Sequence, residues 1–308
     1  MSEHPPTPEI PAWMGDVDPS EIGFPLPVDK SRYTKQIEIV YKQTPEGPLH
    51  LDAYRPVVAD DHLVPLVVMV HGGAWHQGGR FDMGLTRWAG YLASGGMAVV
   101  SIDYRLAPAT SYPHSFQDCV DAVDWAVEHA GELGADPERL GLWGDSAGGH
   151  LALLLSTSQT REAFAGPRLR HRAERLRAVV AWYPPTDLLR LHRSETRGQL
   201  DAGAVRSFVG ADPEADPERW REVSPIEQVH AEAPPTLILQ GTRDLLVPHT
   251  QATSFAERSS EVGATCELRV VAGAVHGFDR VGPGPEAISL IESSREFLRK
   301  HLGVAESE

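Results

Sequence analysis

Short runs that are apolar on both faces alternate with segments of helical period along most of this chain. Residues 66–70, 97–102, 140–143, 178–182, 236–240 and 267–271 are such runs, rich in Val, Leu and Ile. Runs of this kind predict strands in the middle of a sheet that is covered on both sides. Ahead of them, residues 36–41 and 49–54 alternate apolar and polar positions around the turn Pro45-Glu46-Gly47-Pro48, which predicts an antiparallel hairpin. Apolar residues recur at helical spacing over 116–130 (Val120, Val123, Trp125, Val127) and over 285–302. Residues 147–157 are apolar nearly all round, as a helix buried against a sheet requires. A hairpin leading into alternating strands and helices specifies an α/β fold with a mostly parallel eight-stranded sheet and helices on both faces.

Two stretches break the rhythm. Residues 1–34 are proline-rich without period and predict an irregular N-terminal arm ahead of one domain over 35–303. About fifty residues separate the strands ending at Trp182 and beginning at Thr236, far above the usual ~2–6 for such a connection. This insertion, at about 186–234 with a short helix near 202–209, predicts a small cap over the sheet edge. It holds too few large apolar residues to build a core of its own.

Composition narrows the function classes. The 308 residues are 41% hydrophobic and 23% charged, which is ordinary for a globular protein. A net charge of −15, from 43 acidic against 28 basic residues, argues against nucleic acid as a partner. No apolar run is long enough to insert in a bilayer, and residues 1–6 lack the features of a signal peptide, so a cytoplasmic location is expected. Cys119 and Cys266 are expected to be free thiols. No metal-ligand spacing or nucleotide-binding fingerprint occurs, so neither a metal nor another cofactor is expected.

The chemistry concentrates at strand ends. Gly144-Asp145-Ser146-Ala147-Gly148-Gly149 joins a strand to a helix, the context in which a G-x-S-x-G turn presents a nucleophilic serine. His71-Gly72-Gly73-Ala74-Trp75 follows an earlier strand; the N–H groups of Gly72, Gly73 and Ala147 are candidates for an oxyanion hole. Beyond later strands lie Asp244, in Gly241-Thr242-Arg243-Asp244, and His276, in Ala274-Val275-His276-Gly277-Phe278. The order Ser146, Asp244, His276 is that of nucleophile, acid and base in this kind of fold. Asp187 is a competing acid. Asp145, Asp279 and His71 read as loop-bracing residues. Trp75, Trp182, Tyr183 and Phe278 flank these motifs and are candidate substrate-binding walls.

Together with Asp103-Tyr104-Arg105-Leu106-Ala107-Pro108 and Tyr183-Pro184-Pro185-Thr186-Asp187-Leu188, these motifs resemble the α/β-hydrolase esterases related to hormone-sensitive lipase. In look the chain is closest to the carbohydrate (acetyl or feruloyl) esterase-like branch. The resemblance runs from about residue 36 to 302. It implies an α/β-hydrolase fold and a serine carboxylesterase using Ser146, Asp244 and His276, acting on a small or medium ester. Ala74 departs from the third glycine of many relatives, and the arm lacks the two-helix cap of the hormone-sensitive-lipase group. Kynurenine formamidases share the layout, so arylformamidase chemistry stays open, as does acyl transfer or cyclisation on the same three residues. A non-catalytic ligand-binding relative of the fold is the remaining alternative, and the C-terminal helix is a candidate homodimer surface.

Overall fold

The computed structural model describes residues 24–58, 62–82, 84–158, 176–194, 202–281 and 284–304. Eight strands form one sheet: β1 (Tyr33–Thr44), β2 (Gly47–Pro56), β3 (Val64–Val70), β4 (Ala98–Ile102), β5 (Ala135–Asp145), β6 (Leu176–Trp182), β7 (Thr236–Gly241) and β8 (Cys266–Val271). Their spatial order is β1-β2-β4-β3-β5-β6-β7-β8. β1 and β2 pair antiparallel, β2 meets β4 antiparallel, and every later pairing is parallel. The predicted hairpin and the six apolar strands are all present.

Burial follows from that order. All seven residues of β3, in the middle of the sheet, are buried, whereas β8 at the edge keeps only Val271 buried. Helices α1 (Leu85–Ser94), α2 (His114–Glu128) and α3 (Ala147–Thr157) cover the sheet, joined by helices Thr250–Val262 and Pro285–Leu302. The core is correspondingly in two layers. One collects α2, α3 and Phe255 against one face of the sheet. The other collects α1 and the Pro285–Leu302 helix with Trp88, Trp143 and Trp182 against the opposite face. All eleven residues of α3 are buried, and each of its leucines contributes about 1.5–3 kcal/mol by leaving water.

Helices α1 and Thr250–Val262 are additions to the expected pattern. The predicted insertion holds helices Leu188–His192, Ala202–Val209, Pro217–Glu222 and Pro225–Gln228; the last packs on α3, Phe208 of the second meets His150 of α3, and the rest pack on one another. Residues 195–201 of that insertion, and 1–23 of the expected arm, lie outside the described residues. Among the described residues, no helix is long and apolar enough to cross a membrane.

Parallel strands bring their C-terminal ends to one edge, where ligands of such sheets bind. Val70 of β3, Asp145 of β5, Gly241 of β7 and Val271 of β8 therefore deliver four loops to the same place.

Candidate active site

Ser146 occupies the turn between β5 and α3 with φ 51° and ψ −120°. A non-glycine residue there is strained by about 1–3 kcal/mol, and its neighbours must hold it. Its N–H donates to the Trp182 carbonyl at 2.8 Å, and its carbonyl accepts the His150 N–H at 2.9 Å. The flanking glycine is obligatory, because a Cβ on Gly148 would stand 2.1 Å from the Val70 carbonyl oxygen. The turn is thus wedged against β3 with the serine hydroxyl left to project.

That hydroxyl lies 2.9 Å from His276 Nε2. His276 Nδ1 lies 2.7 Å from Asp244 Oδ2. The Asp244 carboxylate is buried and fully hydrogen-bonded: Oδ1 accepts the N–H groups of Leu246 and Val247, and Oδ2 also accepts from the Gln240 amide at 3.0 Å. A carboxylate so held takes the Nδ1–H of the imidazole and leaves Nε2 as the acceptor facing the Ser146 hydroxyl. The competing acid, Asp187, does other work. Its side chain accepts the Arg190 N–H and caps the Leu188–His192 helix.

Beside Ser146, the His71–Trp75 loop runs through left-handed backbone at Gly73 (φ 109°), Ala74 (φ 55°) and Trp75 (φ 63°). A Cβ on Gly73 would lie 2.0 Å from the Gln77 carbonyl oxygen, so glycine is required there. The Gly72 N–H donates to Asp145 Oδ1 at 3.0 Å. This corrects the expectation for Gly72: its N–H is taken by the buried carboxylate next to Ser146 and is not available to an anion. The N–H groups of Gly73, Ala74 and Ala147 have no hydrogen-bond partner among the described residues. Ala74 was not expected in this set. The signal in the sequence is Asp145, an acid with no basic neighbour in the chain that must find donors in space.

The expected bracing residues brace. Asp145 also accepts from Arg280, which donates to the Tyr183 hydroxyl at 2.9 Å. Asp279 accepts from Tyr183 and from the Trp88 indole. Burial opposes the Arg280 charge, but Asp279, Tyr183 and Asp145 outweigh it and hold its pKa well above the ordinary value. His71 stacks on Tyr104 and bonds through Nδ1 to the Gly72 carbonyl, and burial lowers its pKa.

The BD-FAE family model matches residues 51–258. The chain belongs to the BD-FAE family. Esterase LipC of Mycobacterium tuberculosis is 32% identical over 268 residues, covering 84% of this chain and 65% of LipC. Ethyl acetate hydrolase of Pseudomonas putida is 30% identical, covering 80% of this chain and 74% of that protein. The chain spans between 53% and 65% of the lengths of LipC and the mycobacterial relatives LipM and LipQ. Among solved structures, a thermophilic esterase of Thermogutta terrifontis, Est2, aligns with TM-score 0.69 at 29% identity, covering 86% of this chain and 91% of that one. A truncated carbohydrate esterase from gut microbiota aligns with TM-score 0.76 at 23% identity, over 90% of this chain and 99% of that one, which speaks to fold alone. The fold is the α/β-hydrolase fold.

In this BD-FAE chain the four aromatic residues expected to wall a substrate pocket are core instead. Trp75, Trp182 and Tyr183 are 0% exposed and Phe278 is 4% exposed. Trp75 stacks on Phe208, 4.7 Å between centroids, and its indole N–H donates to His150. Trp182 and Phe278 pack with Trp88 and Tyr183 in the layer under the sheet. An aromatic ring buries about 150–250 Å², and these rings bury it in contact with neighbouring rings. Trp182 meets Ser146 through its backbone carbonyl, and the Tyr183 ring centroid lies 4.5 Å from that of His276. Among the described residues, no group of His, Cys, Asp or Glu side chains could hold a metal ion.

Proposed function

We propose that the chain is a serine carboxylic-ester hydrolase that works through an acyl-enzyme. The observation that carries this reading is the line Ser146 Oγ, His276 Nε2 and Nδ1, Asp244 Oδ2, at 2.9 and 2.7 Å, beside three N–H groups without a hydrogen-bond partner among the described residues. Ser146 is the nucleophile, His276 the base and then the acid, and Asp244 the group that orients the imidazole.

Ser146 Oγ attacks the ester carbonyl as its proton passes to His276 Nε2. The carbonyl oxygen becomes negative and is held by the N–H groups of Gly73, Ala74 and Ala147, the last at the N-terminus of α3, where the helix dipole favours an anion. The tetrahedral intermediate collapses, the bond between the acyl carbon and the alcohol oxygen breaks, and His276 gives the proton to the leaving oxygen. Water attacks the acyl-Ser146 by the same route and releases the acid. No cofactor enters. Membership of BD-FAE and the esterase names of the relatives support a small or medium ester as substrate. The two unpaired cysteines, Cys119 and Cys266, support action in the reducing cytoplasm.

The test is a substrate panel. Short-chain p-nitrophenyl esters should turn over, N-formylkynurenine and aminoacyl amides should not, and Ser146→Ala should abolish turnover of p-nitrophenyl acetate. A faster reaction with the formamide than with the acetate would move the assignment to amide hydrolysis.

A further inference from the structure

His150 lies one helical turn after Ser146, and its imidazole is completely buried. Both ring nitrogens are engaged, in opposite senses. The Trp75 indole N–H is 3.2 Å from Nδ1, and the Val223 carbonyl oxygen is 2.7 Å from Nε2. An indole N–H only donates and a carbonyl oxygen only accepts, so the two partners dictate a single neutral tautomer, with Nδ1 accepting and Nε2–H donating. Burial acts in the same direction and pushes the His150 pKa down to about 4.

The partners come from two different parts of the molecule. Trp75 directly follows Ala74 in the left-handed stretch that carries the Gly73 and Ala74 N–H groups. Strained backbone of this kind persists only where the surroundings over-determine it. Val223 directly follows the Pro217–Glu222 helix of the cap. Phe208, from the cap helix Ala202–Val209, closes the cluster: its ring stacks on Trp75 at 18° and meets His150 edge-on at 89°. One side chain on the helix that begins beside Ser146 therefore holds the anion-binding loop and the cap together.

We propose that His150 is a positioning residue for the oxyanion hole. By fixing the Trp75 indole and the Val223 carbonyl it holds the Gly73 and Ala74 N–H groups in register with Ser146 and makes cap docking part of transition-state stabilisation. The proposal rests on the serine-esterase reading above. His150 touches no substrate and moves no proton in the reaction; it acts through Trp75.

The experiment compares His150→Phe, His150→Gln, Trp75→Phe and the double variant His150→Phe/Trp75→Phe. Each is measured for kcat and KM on p-nitrophenyl acetate, for inhibition by a trifluoromethyl ketone and for thermal unfolding. His150→Phe removes both hydrogen bonds, and Trp75→Phe removes the indole N–H together with part of the ring while keeping the Val223 bond. Both should lower kcat about ten- to a hundredfold, as small displacements of oxyanion donors do, with KM changed less than about threefold. Affinity for the ketone, which resembles the tetrahedral intermediate, should fall in step with kcat/KM. The double variant should be little worse than the poorer single variant, because both break the same link. His150→Gln, which restores an acceptor and a donor, should recover much of the loss. Should His150→Phe fail to fold, Trp75→Phe and His150→Gln carry the comparison. Unchanged kcat in Trp75→Phe and His150→Phe, ketone affinity that stays at the wild-type level, or losses that multiply in the double variant would each overturn the proposal. Ser146→Ala separates the two claims. Activity surviving in Ser146→Ala removes the esterase reading, whereas an inactive Ser146→Ala beside a fully active His150→Phe removes only the role of His150.

Discussion

The Gly72 N–H donates to the carboxylate of Asp145 at 3.0 Å, tying the loop after β3 to the residue that precedes Ser146. That bond shifts the open N–H groups one residue along, to Gly73 and Ala74, and it makes Asp145 the fixed point of the loop. Removing the carboxylate should displace those donors. Asp145→Ala is expected to lower kcat by roughly tenfold or more while KM stays within a few-fold, as steady-state kinetics on p-nitrophenyl acetate will register. An equal loss in KM alone would place Asp145 in substrate binding instead.

The strained turn leads to a trade between stability and activity. Ser146 sits at φ 51°, a conformation that glycine adopts freely. Ser146→Gly is therefore expected to stabilise the fold by about 1 kcal/mol relative to Ser146→Ala, while both variants lose turnover. Chemical denaturation midpoints of the two variants decide it, and a glycine variant no more stable than the alanine variant speaks against strain at this residue.

Acid should loosen the protein through His150. Its pKa is pushed from the ordinary 6.5 to about 4 by burial. Below pH 6.5 the unfolded chain takes up the proton and the folded chain does not, so stability falls as the pH drops and levels off below about 4. The contribution lost is roughly 3 kcal/mol. Unfolding free energies measured from pH 7 to 4 should show this decline, and His150→Gln should flatten it.

The buried aromatic layer should behave as core. Trp182→Ala is expected to destabilise by about 3–5 kcal/mol through the cavity it leaves. The Trp182 indole N–H has no hydrogen-bond partner among the described residues, so Trp182→Phe gives up no such bond and should retain most activity. Thermal melts with matched kinetics distinguish this from a pocket wall, for which Trp182→Phe would change KM and leave stability untouched.

These outcomes also mark what could be read from the chain alone. The central strands announced themselves because residues covered on both faces must be apolar on both, as β3 shows. The order of Ser146, Asp244 and His276 was legible because strand-end loops are short and carry compact motifs. Helix α1 was not, since it starts after Gly84 with no capping side chain. Helix Thr250–Val262 was not either, because it buries only Gln251, Ala252, Phe255 and Ser259 and has a thin apolar stripe. The aromatic residues misled for a different reason: the wall of a pocket and the filling of a core have the same composition, and only three-dimensional packing separates them. Which glycine N–H is open likewise depends on Asp145, distant in the chain from the His71–Trp75 loop.

Labelling with a fluorophosphonate, followed by intact-mass and peptide analysis, addresses the nucleophile itself. One adduct should form per chain, on Ser146, with ester hydrolysis lost in proportion to labelling and no adduct on Ser146→Ala. Hydrolysis that survives complete labelling, or an adduct on any other residue accompanied by loss of activity, would show that Ser146 is not the group that attacks the ester.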